Sequence, residues 1–461
     1  MRRSVVLAAL LLVARPCSAA GNKSCTHDDV FDDATGVFDL SGCRIVKIEN
    51  VDVDAGALAK ALNATGNGMK MLEVTGASID PLGAMQIADE VASHATLRVI
   101  VLDNNPLYAQ GADMIARAVL KNELILRLSL SNTRIGDDGA KIFGLLLQHN
   151  SALLELELRD NGILPPGVAA IAGALQSNQR LRTLDLSGNP LFRDGARELV
   201  RGMKGNSHLR HLNLRGTRLQ DSGAVELANA LKGDQVGLQD LDLWGNEIGD
   251  EGADALAHAF KTNTQLQVLN LWQNEVTDRG VASFCEGLVL NTALHELHLG
   301  RNTGITDEGA YSLAGLLRAN SGLYFVDFGS GHTGVTEPYS QPIAQAASCN
   351  RMYTDNMHER FACKTKVLAK VPIRLHLAHI REKMGFNVEE EKKAFLLKQE
   401  RLKEIRASLS KEQLEELDDV TKQALDEFEK EVEKDERFQV WNKGKKVDVE
   451  GENDDKFVQP R

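Results

Sequence analysis

One feature constrains the fold of this chain above all others: it repeats itself. The stretch Leu181-Arg-Thr-Leu184-Asp-Leu186-Ser-Gly-Asn189-Pro-Leu191 is followed four residues later by Gly195-Ala196. The same frame begins at Met69, Leu97, Ile125, Leu153, Leu209, Leu238, Leu266 and Leu294. The step is 28 residues, or 29 from Leu209 and from Leu294. A worn copy starts at Cys43, with Val46 and Ile48 in the strand positions, and a half copy ends the series at Leu323, Val326 and Phe328. Alternation such as Leu184-Asp-Leu186 predicts a short strand with one buried face. The asparagine that follows (Asn161, Asn189, Asn246, Asn274, Asn302) suits a chain turning out of the strand, because its amide can satisfy the backbone there. Beyond the Gly-Ala, apolar residues return at helical spacing, as in Ala253, Leu256, Ala257 and Phe260. A further asparagine, such as Asn178, Asn263, Asn291 or Asn320, closes many of these helices. No unit can bury its apolar face alone, so the units must stack and share one core.

These residues and their spacing resemble ribonuclease-inhibitor-type leucine-rich repeats over residues 43–330. Similar repeats occur in nucleotide-binding innate immune receptors and in Ran GTPase-activating proteins. The resemblance implies an α/β fold, a curved solenoid or horseshoe with a parallel sheet on its concave face and helices outside. It also implies a habit of binding proteins, without naming a partner. Repeats of this type are usually cytosolic, and the N-terminus of this chain departs from that habit.

Arg2 and Arg3 precede an apolar run from Val5 to Val13 and then Cys17-Ser18-Ala19-Ala20. A basic start, a short apolar middle and small residues before the cut predict a signal peptide over 1–20, cleaved after Ala20 or Ala19. The competing reading is a buried N-terminal strand. The run is too short to cross about 30 Å of hydrocarbon, and no later segment reaches about 18 uninterrupted apolar residues, so no membrane span is expected. A secreted or luminal location follows. In an oxidising compartment Cys25 pairs with Cys43 and Cys349 with Cys363, 18 and 14 residues apart. The competing reading leaves them all as buried thiols. Cys285, where other segments have Ala, reads as a buried inert thiol. Asn22 and Asn63 begin two N-glycosylation sequons.

Residues flanking the strand leucines point away from the core. One such column reads Glu73, Val101, Ser129, Glu157, Asp185, Asn213, Asp242, Asn270, His298, Asp327. The next reads Thr75, Asp103, Ser131, Arg159, Ser187, Arg215, Trp244, Trp272, Gly300, Gly329. Trp244 and Trp272 are one repeat apart, on strands expected about 4.8 Å from each other. Around them lie Asp240, Asp242, Asn246, Asn270, Asn274, Glu296 and His298, with Asp185 and Arg215 on preceding repeats. This reads as an aromatic anchor with an acidic rim for a protein partner. The competing reading packs the indoles on each other or against the C-terminal segment. The acidic columns suggest a partner with a basic patch, a solvated face being equally compatible, and the net charge of −12 argues against nucleic acid. His211 and His298 lie near carboxylates, yet no HExxH, paired Cys, phosphate-cradling glycine loop or nucleophile signature accompanies them. No catalytic residue, metal or cofactor is therefore expected.

The organisation expected is a signal peptide at 1–20, an N-terminal cap and worn repeat at 21–68, and the solenoid at 69–330. A disulfide-bearing cap with a short helix then spans 331–384. Capping boxes at Asn387/Glu390 and Ser410/Gln413 open two charged amphipathic segments, read as a helical hairpin or coiled coil over 385–440. Residues 385–461 hold 22 acidic and 16 basic side chains, and 441–461 reads as a disordered tail. The arm suits homo-oligomerisation or docking of a second partner; the alternative folds it onto the solenoid. Together these features describe a non-enzymatic recognition or scaffold protein. The rival function is regulation of an enzyme, as in Ran GTPase-activating proteins.

Overall fold

The computed structural model of the chain describes residues 24–32, 37–40, 42–64, 68–232, 236–329, 333–352 and 357–368. The signal peptide, Asn22, the segments expected at 385–440 and the tail lie outside the described residues.

The strands are β1 (Ser24–Thr26), β2 (Phe31–Asp32), β3 (Val37–Phe38), β4 (Ile45–Glu49), β5 (Met71–Thr75), β6 (Val99–Val101) and β7 (Arg127–Ser129). They continue as β8 (Glu155–Glu157), β9 (Thr183–Asp185), β10 (His211–Asn213), β11 (Asp240–Asp242), β12 (Val268–Asn270), β13 (Glu296–His298) and β14 (Phe325–Asp327). β2 and β3 form a small antiparallel pair, and the other twelve make one sheet ordered β1, then β4 through β14. Pairing in that sheet is parallel and keeps the repeat in register: Leu212 sits opposite Leu184 on one side and Leu241 on the other. The strand leucines thus form one continuous buried row. β1 was not legible as a strand; it pairs with β4 and extends the sheet by one.

Helices return the chain between strands, among them Gln220–Leu231, Asp250–Phe260, Asp278–Leu288 and Asp307–Ala319. Neighbouring strands pack about 4.8 Å apart and neighbouring helices about 8–10 Å apart. Stacking such units curves the solenoid, with the sheet on the inner side. The glycine in the first turn of several helices is where adjacent repeats press together. A Cβ added at Gly280 would sit 2.6 Å from Asp250 Oδ1 and 2.8 Å from Val276 Cγ1.

Three sets of polar side chains bind one repeat to the next. The buried asparagines after the strands reach backward: Asn246 Oδ1 accepts from the Thr217 and Leu219 amides, and its Nδ2 donates to the Leu214 carbonyl. The asparagines near the helix ends also reach back, as when Asn263 Nδ2 donates to the Leu231 carbonyl while its Oδ1 accepts from the Leu266 amide. Aspartates at helix starts reach forward: Asp250 Oδ1 accepts from the Thr277 and Gly280 amides. A fourth regularity is conformational. The residue closing each strand loop is left-handed, at Asn50, Gly76, Asn104, Asn132, Asp160, Gly188, Gly216, Gly245, Gln273 and Arg301.

Both expected disulfides are formed, Cys25–Cys43 beside β1 and β4 and Cys349–Cys363 between the helices Glu337–Met352 and Met357–Leu368. Those two helices cover the last repeat, where Lys364 Nζ and Asn350 Nδ2 both donate to the Asn320 carbonyl. Three readings are corrected. Val101, Ser129 and Ser187 are buried rather than exposed. The inward curvature crowds this face, and short side chains between long ones are roofed over. Ser129 Oγ, for instance, donates to Asp103 Oδ1 at 2.6 Å. Asn246 and Asn274, expected beside the tryptophans, are buried in the asparagine ladder instead. Cys285 is partly rather than fully buried, packed against the edge of the core. Asn63 is exposed on the helix Ala55–Ala64.

Candidate site on the inner sheet

The sheet face divides into two halves of different chemistry. In the N-terminal half the charges answer each other. Lys47 Nζ meets Glu73 at 2.7 Å, and Arg127 Nη2 meets Glu157 Oε1 at 2.8 Å. Burial pushes the Asp103 carboxyl upward against opposing hydrogen bonds from Ser129 and Ser131. Burial likewise raises Glu157, opposed by Arg127.

The C-terminal half carries the aromatics. Trp244 and Trp272 are both half-buried and take separate partners rather than stacking on each other. The Arg215 guanidinium lies over the Trp244 ring, 3.7 Å from its centroid. The Trp272 indole runs across the next strand, donating from Nε1 to Asp327 Oδ2 at 3.1 Å. It can do so because Gly300 has no side chain: a Cβ there would fall on the indole, and one at Gly329 would lie 3.0 Å from Trp272 Cζ2. Arg301 sits above the same ring at 5.3 Å and donates to Gln273. Among the described residues the two indoles do not stack on each other; each is held by its own neighbours in the solenoid.

Two further rings continue the patch. His298 packs on Phe325 at 5.1 Å between centroids, and Phe325 is 44% exposed. Phe325 was missed because it stands two residues after Leu323, in a strand column that is otherwise polar or aliphatic. The signal for Gly300, Gly329 and Asp327 was present as the two glycines directly following the tryptophans in their column.

Several expected rim residues serve the backbone first. Asp185, Asp242 and Asn270 each accept, through Oδ1, from the amide two residues on: Ser187, Trp244 and Trp272. Asp185 Oδ2 also accepts from Asn213 Nδ2. Their role is to shape the strand end and aim the residue that follows. Asp240 and Glu296 are the carboxylates that face the surface, each 3.5 Å from an imidazole, His211 and His298 respectively. Burial raises the Asp240 carboxyl; His211 opposes this, while Asp242 and Glu296 add to it.

A separate cleft of about 420 Å³ opens where helices begin, lined by Gln220, Asp221, Ser222, Val225, Glu247, Glu251 and Glu275. Only Val225 there is apolar, so it offers no floor for an apolar ligand. Among the described residues no group of three or more His, Cys, Asp or Glu side chains is placed to hold a metal ion. Among them, too, no helix is long and apolar enough to cross a membrane.

A family model for leucine-rich repeats matches residues 121–143, 149–172, 205–228, 238–257, 262–285 and 290–314. Among solved structures, the complex of Rad7 and Elc1 in yeast is similar at 15% identity and a TM-score of 0.40, over 64% of this chain and 78% of that one. The actin-binding site 2 of leiomodin-1 is similar at 14% identity and a TM-score of 0.25, over 50% of this chain and 96% of that one. No curated protein matches the sequence.

Proposed function

The chain is a leucine-rich repeat protein, and from that premise we propose that it is a non-enzymatic recognition protein whose inner sheet binds a protein partner at the C-terminal half. The observation that carries this is the run of fixed rings, Trp244, Trp272, His298 and Phe325, on consecutive repeats of an otherwise polar face. A ring held in place by Arg215, or by Asp327 and Gly300, loses little freedom on binding, so more of its contact energy appears as affinity. Aromatic and arginine side chains are the types that most often dominate such contacts. Asp240 and Glu296 beside them suit a partner presenting a basic patch.

The same reading places the protein in the secretory pathway or outside the cell, where the two disulfides are at home. Sequence 385–440 would then bring a second copy or a second partner. The test uses the mature protein as bait in its source tissue, beside a W244A/W272A variant with an unchanged circular dichroism spectrum. Partners captured by the wild type and lost with the variant are expected. Partners kept by both would overturn the inner-face site.

A further inference from the structure

The rings stand among groups whose charge changes with acidity. His211 on β10 lies 3.5 Å from Asp240 on β11, and His298 on β13 lies 3.5 Å from Glu296 on the same strand. The register sets Asp240 opposite Val268 on β12, and Val268 opposite Glu296. Two imidazole–carboxylate pairs therefore flank a single aliphatic residue at the centre of the patch.

The other charged groups facing them are few and fixed. From β9, Asp185 is engaged by Asn213; from β11, Asp242 is engaged by the Trp244 amide. From β14, Asp327 is engaged by the Trp272 indole. Arg215 and Arg301 are drawn over the two indoles. Asp240 and Glu296 are left as the carboxylates with imidazole partners only, in contrast to the Lys47–Glu73 and Arg127–Glu157 pairs of the other half. Histidine is the side chain whose ordinary charge change falls between about pH 5 and 8. Asp240 and Glu296 give the centre of the patch two carboxylates for a cationic partner. Each proton taken by an imidazole cancels the carboxylate beside it and places a positive charge where a cationic partner would sit.

Resting on the reading above, we propose that the inner face is a proton-gated acceptor: it holds a Lys- or Arg-rich protein segment at neutral pH and releases it as the pH falls to about 5.5. Burial, with Asp242 and Glu296, raises the Asp240 carboxyl against the opposing pull of His211, which tends in the same direction.

The experiment is fluorescence anisotropy of fluorescein-labelled octa-arginine titrated with the full chain at pH 7.4 and 5.5. It is run on the wild type, on H211Q/H298Q and on H211Q alone. Wild type should bind about tenfold more weakly at the lower pH, and the double variant should change by less than about threefold. H211Q, whose side chain is half exposed and packs little, should fall between them and decides the matter if the double variant misfolds. Equal wild-type affinity at both pH values, or an undiminished loss in the variants, would overturn the gate and leave the basic-partner reading standing. No binding at pH 7.4 in low salt would overturn both.

Discussion

Asn246 shows how much one residue can hold. Fully buried, it accepts from the Thr217 amide, the Thr217 hydroxyl and the Leu219 amide, and donates to the Leu214 carbonyl. Replacing it with alanine strands those backbone groups away from water, at about 1–3 kcal/mol for each group left unmet. N246A should therefore lose about 3 kcal/mol or more in urea unfolding, whereas N229A, exposed on the helix Gln220–Leu231, should lose less than about 1 kcal/mol. His94 stands in the helix-end column where Asn122 and Asn150 follow, and its Nδ1 accepts from the Leu97 amide at 3.2 Å. Burial, with a smaller contribution from Lys70, lowers its pKa. The unfolded chain protonates this side chain near pH 6.5, the folded chain only further down. Its contribution is therefore whole above about pH 6.5 and is lost as the pH falls from there through the folded value. H94N should show a smaller drop in urea midpoint between pH 7.5 and 5.5 than the wild type does. At the patch, G300A should lift the Trp272 indole off β13, break its bond to Asp327 and shift tryptophan emission to the red, with the circular dichroism unchanged. Much of this residue scale was legible, because the leucines and asparagines recur in fixed columns. The stacking of Arg215 on Trp244 was not, since it depends on where long side chains turn once the strands are side by side.

At the scale of the element, the position two residues past the last apolar strand residue is left-handed in each repeat from Asn50 to Arg301. Glycine, asparagine and aspartate fill most of these positions and tolerate that backbone well. At this position Gln273 and Arg301 are the exceptions, and they are the two that follow Trp272 and Gly300. The strain is retained where Arg301 covers the indole and Gln273 holds Arg301. Q273G should therefore stabilise the chain by about 1 kcal/mol in thermal or urea unfolding while weakening partner capture. The helices and strands themselves were readable from periodicity. β1 was not, because three residues of Ser-Cys-Thr carry no pattern; it forms by adding to the open edge of β4 beside the Cys25–Cys43 bridge.

On the scale of the whole molecule, the one continuous core is built from contacts between neighbouring repeats only, so the ends matter most. The bridge Cys349–Cys363 ties together the two helices that close the last repeat. By loop-closure entropy alone, C349S/C363S should cost about 3 kcal/mol at that end. Hydrogen exchange should then show the repeats from about Leu294 onward opening first, with the N-terminal repeats little changed. The order of the ladders also has a bearing on synthesis. A newly made repeat finds its helix start already supplied by the aspartate of the repeat before it, as Asp250 supplies Thr277 and Gly280. Its loop, however, waits for the asparagine of the repeat still to come, as Thr217 waits for Asn246. A chain leaving the ribosome N-terminus first is thus always one repeat short of finished, and a ribosome that stalls within the repeats would leave a loop whose missing partner only the next codons encode.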